Sequence, residues 1–147
     1  MRHQARIVAL QVLYELDTTA HQADRAIAYR LEEEPLPQEG ESFLRQLVSG
    51  VVTQRDRLDA LIQKYAPAWP VQQIAVIDRN ILRIALFELS GVTGTPTKVA
   101  INEAVELAKM FGSDSSSRFV NGVLGTAVAD QAPIALVAAQ QTTPAKD

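Results

Sequence analysis

The sequence predicts an all-α fold, a compact single-domain helical bundle of about seven helices. Three observations carry that expectation. At 147 residues the chain is sized for one domain that buries about two-thirds of its unfolded surface. Its apolar share is 47% but only 5% is aromatic, and the abundance of Ala, Leu, Val and Ile favours helices over a strand-rich fold. Apolar residues also recur at helical spacing, and prolines and glycines fall between the periodic stretches.

The first helix is expected from Arg2 to Asp17, with Ile7, Leu10, Leu13 and Tyr14 on one side and Gln11 and Glu15 opposite. A second runs from about Asp24 to Glu33 and stops before Pro35-Leu36-Pro37, which cannot continue it. After an acidic linker, Glu41 to about Arg55 carries Phe43, Leu44, Leu47, Val48, Val51 and Val52. A further piece through Leu58, Leu61 and Ile62 ends before Pro67-Ala68-Trp69-Pro70, with Gly50 or the Arg55-Asp56-Arg57 cluster as alternative bends. Val71 to Ser90 is the most apolar helix, closed by Gly91 and Gly94. The next is amphipathic, with Ala100, Ile101, Ala104, Leu107, Ala108 and Phe111 opposite Asn102, Glu103, Glu106 and Lys109. Pro96 suits its first position, and Gly112 suits a left-handed residue closing its last turn. Ser115 to Asp130 forms the last helix. The domain is expected over residues 1–132, with 133–147, rich in Ala, Gln and Thr, as a disordered tail.

The central helix carries an inconsistency with its own pattern. Asp78 and Glu88 fall inside the arc occupied by Ile77, Ile81, Leu82, Ile84, Ala85 and Leu89. An unpaired carboxylate there costs several kcal/mol, so each requires an arginine, a backbone donor or another chain.

Function classes are narrowed by what is missing. Without cysteine there are no disulfides, thiolate metal sites or thiol nucleophiles. No apolar run approaches the roughly 20 residues that cross a bilayer, and no secretory signal is evident, so a cytoplasmic protein is expected. The histidines, His3 and His21, sit on separate segments, and no catalytic, phosphate-loop or metal-ligand spacing appears. Glu103 and Glu106 read as solvated charges beside Lys109. No enzyme and no cofactor are expected. A formal charge of −3 argues against binding nucleic acid over the whole surface, so any such contact is local. Arg2, His3 and Arg6 precede the first acidic residue, Glu15, either as solvated helix-start charges or as a basic arm. Arg118-Phe119 sets a cation and an aromatic at the mouth of a helix, a pair able to hold a strand by charge and stacking.

Three stretches are familiar together: KVAINEAVELAKMFG followed by SSSRFVNGVL, Ala5-Arg6 with Ala9 to Tyr14, and Trp69 with Asp78 to Leu89. In order, over roughly the first 130 positions, they resemble the bacterial transcription antitermination factors of the NusB family. That resemblance implies binding rather than catalysis: recognition of boxA-type RNA in nascent ribosomal RNA transcripts, with the small-subunit ribosomal protein NusE, in an antitermination complex on RNA polymerase. It implies RNA contacts by Arg2 and Arg6 as the basic arm, Tyr65 near the RNA path, and Arg118 and Phe119 at the elbow. It implies contacts to NusE by Tyr14 and Asp78. Read from the residues alone, Phe119 is equally an ordinary core aromatic, Tyr14 a core-edge tyrosine and Asp78 half of an ion pair.

Two departures from the family pattern bear on affinity. His3 and Gln4 stand where further cations are common, so fewer phosphates are neutralised, each worth roughly 0.7 in the logarithmic salt slope for single strands. Asp114 is followed by Ser115, where an acidic pair is common. Weak RNA binding by the chain alone, rescued by its partner, is the expectation. A helical protein-interaction module with little RNA contact, and a homodimer that hides the RNA face, are the competing readings.

Overall fold

The periodic stretches become helices wherever proline and glycine allow. A computed structural model describes residues 2–142, and among these it contains eight α-helices and no strand. They are α1 (Arg2–Thr18), α2 (Ala23–Glu33), α3 (Gln38–Thr53), α4 (Arg55–Tyr65), α5 (Val76–Leu89), α6 (Thr97–Phe111), α7 (Ser116–Ala127) and α8 (Gln131–Thr142). The axis of the bundle is α5, which packs against α1, α3, α4, α6, α7 and α8. Every residue from Ile81 to Glu88 is buried, as expected of a helix surrounded on all sides.

Gly50 is not a bend. Helix α3 passes through it, and a Cβ there would collide with the Phe87 ring, so the glycine is what lets α3 lie against α5. The break comes at Gln54, whose N–H still reaches Gly50 at 2.9 Å. Position 112 is also small for a packing reason. Its backbone is extended (φ −91°), not left-handed as the sequence suggested, and a Cβ would meet the Ser116 side chain. The left-handed glycines are Gly91 (φ 94°) and Gly94 (φ 74°), in the turn that returns the chain from α5 to α6. Pro96 sits one place earlier than expected, at the N-cap, and Thr97 opens the helix.

Two further expectations change. Helix α5 begins at Val76, not Val71, because Val71–Gln73 forms a single 3₁₀ turn followed by extended Ile74 and Ala75. Both Val71 and Ile74 are buried in that conformation. The stretch expected to be a disordered tail instead carries α8 as far as Thr142. Ile134 and Val137, one turn apart, are fully buried where α8 meets α4 and α5, and Pro133 is tolerated because it lies in the first turn. Residues 143–147 lie outside the described residues.

A polar cluster ties α1, α4 and α5 together. Buried Arg83 donates to Asp59 at 2.7 and 2.9 Å and to Asp17 at 2.8 Å, and Asn80 donates to Asp17 at 3.0 Å. Burial opposes the Arg83 charge, but Asp59 and Asp17 outweigh it and hold its pKa above the ordinary value.

Candidate nucleic-acid interface

The two carboxylates of α5 lie ten residues apart, hence about 15 Å along the helix, and their surroundings differ. At the C-terminal end, Glu88 is 1% exposed and receives a bidentate pair from Arg6, Nε and Nη2 each donating at 2.8 Å. The Thr95 hydroxyl donates to the same carboxylate at 2.7 Å. Arg6 itself is 3% exposed, and Glu103 lies 3.5 Å away. Burial works against the Arg6 charge, yet the hydrogen bonds and charge of Glu88, helped by Glu103, hold its pKa above the ordinary value. Arg2 is half-buried. Its guanidinium lies 4.2 Å from the centre of the Phe43 ring and donates to the Thr93 carbonyl at 3.2 Å. His3 pairs with Glu103 at 2.7 Å, so the ion pair of Glu103 is made to α1, whereas Glu106 is exposed beside Lys109 as the sequence suggested. The N-terminal cations are thus engaged within the fold.

At the N-terminal end of α5 an apolar groove of about 520 Å³ opens between the 66–70 loop and α7. Tyr65, Trp69 and Phe119 supply its aromatic surface, and Arg118 its only charge. Arg118 is exposed and makes no hydrogen bond or ion pair with another described residue. Phe119 is half-buried, anchored on the core while still lining the groove, so both sequence readings of it hold in part. Tyr65 is buried except for the face it turns to the groove. Its hydroxyl donates to Asp130 at 2.9 Å, and Lys64 holds Asp130 at 2.7 Å. Burial, and then the hydrogen bond and charge of Asp130, push the Tyr65 phenol up to about 12. The carboxyl of Asp130 is held below its usual range by Lys64 and Tyr65. Trp69 is 63% exposed. Its loop is fixed by Gln63, which donates to the Trp69 carbonyl at 2.7 Å and accepts from the Val71 N–H at 2.9 Å.

The groove continues past Phe119 into a hollow lined by Asp78, Ser115 and Ile74, and then into another where Tyr14, Asp78, Phe111 and Ser116 meet. Asp78 is 8% exposed, and its Oδ1 is buried with no hydrogen-bond partner among the described residues. The ion pair that the sequence allowed for it is not formed among the described residues. Tyr14 stands beside it, 43% exposed.

The structure therefore brings Tyr65, Arg118 and Phe119 together, joins them to Tyr14 and Asp78, and sets Arg2 and Arg6 apart at the far end of α5. Sequence reasoning missed Trp69 as a lining residue. The available signal was its setting between two prolines, where no helix can turn it into the core.

The model of the NusB family matches residues 3–129. The chain is 57% identical over 130 residues to the transcription antitermination protein NusB of Roseiflexus castenholzii, covering 87% of this chain and 92% of that one. The NusB protein of Dehalococcoides mccartyi strain CBDB1 is 48% identical over 134 residues, covering 89% and 94%. Among solved structures, T. maritima NusB superimposes with a TM-score of 0.79 at 29% identity, over 90% of this chain and 94% of that one. A crystal structure of antitermination factors NusB and NusE in complex with double-stranded RNA gives a TM-score of 0.76 at 25% identity, over 85% and 95%. Fold and sequence place the chain among the all-helical transcription antitermination proteins. It belongs to the NusB family.

Proposed function

We propose that this chain is a cytoplasmic, non-catalytic transcription antitermination factor that binds boxA-type RNA in nascent ribosomal RNA transcripts jointly with NusE, within an antitermination complex on RNA polymerase. One observation carries the reading: an aromatic groove with a free cation, Arg118, runs directly into a surface holding an unsatisfied carboxylate, Asp78. The first has the chemistry of a single-strand site, bases on Tyr65 and Phe119 and a phosphate on Arg118. The second has the chemistry of a protein contact, in which a donor from NusE satisfies Asp78 while Tyr14 supplies apolar area at its rim. Arg2, still half exposed, is available to phosphates further along the strand. Arg6 acts through Glu88 by holding α1 to α5.

Titrating labelled boxA-type RNA with the chain, with and without NusE and across a range of salt, tests this reading. Binding that tightens with NusE and weakens with salt is expected. NusE binding that leaves RNA affinity unchanged would instead identify a protein-interaction module. A homodimer that RNA does not dissociate would identify the self-associated form.

A further inference from the structure

We propose that Trp69 is a base-stacking wall of the groove and that the space beside it takes one unpaired nucleobase of single-stranded RNA. The inference rests on the RNA-binding reading above and assigns it a residue and a dominant force. A tryptophan that is 63% exposed forfeits the burial of the largest apolar side chain, and nothing in its own fold requires this. Its loop is nevertheless held in place at both ends of the exposed segment by Gln63, so the ring is presented rather than left loose. The groove it lines is about 520 Å³, flanked by Tyr65 and Phe119, and carries no acidic residue. An occupant with a flat apolar face and a negative charge nearby complements that lining, with Arg118 as the phosphate contact; this is the description of a nucleotide in a single strand. Because Arg6 is enclosed and Arg2 half-buried, stacking carries a larger share of affinity here than phosphate neutralisation does.

Gly122 supplies an independent handle. It lines the same groove, is exposed, and a Cβ there meets nothing within 4 Å, so Gly122→Leu fills the groove from α7 without touching the core. Trp69 is the one tryptophan in the chain, so its emission reports on the groove directly. The test uses the full chain with NusE and boxA-type RNA. Expected are quenching of Trp69 emission by RNA and an affinity about 10-fold weaker in Trp69→Ala, with an unchanged salt slope. A smaller loss is expected in Trp69→Phe, and a loss in Gly122→Leu with thermal stability not reduced, since leucine replaces a mid-helix glycine. Wild-type RNA affinity in both Trp69→Ala and Gly122→Leu overturns the assignment while leaving the RNA-binding reading intact. Quenching by NusE alone, with NusE affinity reduced in Trp69→Ala, overturns it in favour of a protein occupant. Absence of RNA binding by the wild-type pair overturns both.

Discussion

The two ends of α5 each present a carboxylate in the same apolar arc and resolve it in opposite ways. Glu88 is enclosed and saturated by Arg6 and Thr95, whereas Asp78 keeps a buried oxygen without a hydrogen-bond partner among the described residues. The closed end ties α1 to α5, and the open end leaves a buried acceptor for which the described residues supply no donor. A buried carboxylate is therefore not one kind of feature. Its meaning depends on whether the fold supplies the donor.

The sharpest break of this comparison is at the closed end. Arg6→Ala leaves Glu88 buried and unpaired and is expected to lower stability by about 3–5 kcal/mol in urea unfolding. The double variant Arg6→Met, Glu88→Met removes both charges and should recover most of that loss. At the open end the same operation should do almost nothing to the fold. Asp78→Asn is expected to change stability by less than about 1 kcal/mol, because its weak helix-terminus attraction is offset by relief of an unsatisfied buried charge. The same variant should weaken NusE binding by about 10-fold or more in calorimetric titration. If Asp78→Asn were as damaging to the fold as Arg6→Ala, the contrast between the two ends would collapse.

A smaller effect is expected at Arg118, the free cation of the open end. Arg118→Ala should leave stability unchanged and reduce the logarithmic salt slope of RNA binding by about 0.7. The least effect concerns a polar group that the open end does satisfy. The folded-state pKa of Tyr65 is raised to about 12, so its contribution is fully present below the unfolded value of about 10 and is lost as pH rises toward 12. Tyr65→Phe should therefore flatten the fall in stability across that window, measured by urea unfolding at stepped pH.

Much of the fold was legible because apolar periodicity and helix breakers are local signals. The amphipathic pattern of α6, the stops at Pro35 and Pro67 and the left-handed turn at Gly91 and Gly94 all follow from a few consecutive residues. The misreadings share one cause. Gly112 and Gly50 were small because of Ser116 and Phe87, and the tail was helical because Ile134 and Val137 found α4 and α5. Each depends on a neighbour distant in sequence or on the packing between elements.

The candidate site divides in the same way. Asp78, Phe119 and Arg118 were marked by residue type and by their place in a recognisable pattern. Only packing showed that Arg6 faces inward and that Trp69 faces outward.

By itself the chain determined an all-helical bundle, most of its helix ends though not the start of α5 or the existence of α8, and the need of Asp78 and Glu88 for donors, because propensity, periodicity and burial cost are written residue by residue. Which donor reaches which carboxylate was decided by tertiary structure alone. Arg6 and Glu88 stand 82 positions apart, and only the docking of α1 on α5 brings a guanidinium within 2.8 Å of one carboxylate, while no described residue reaches the buried oxygen of the other.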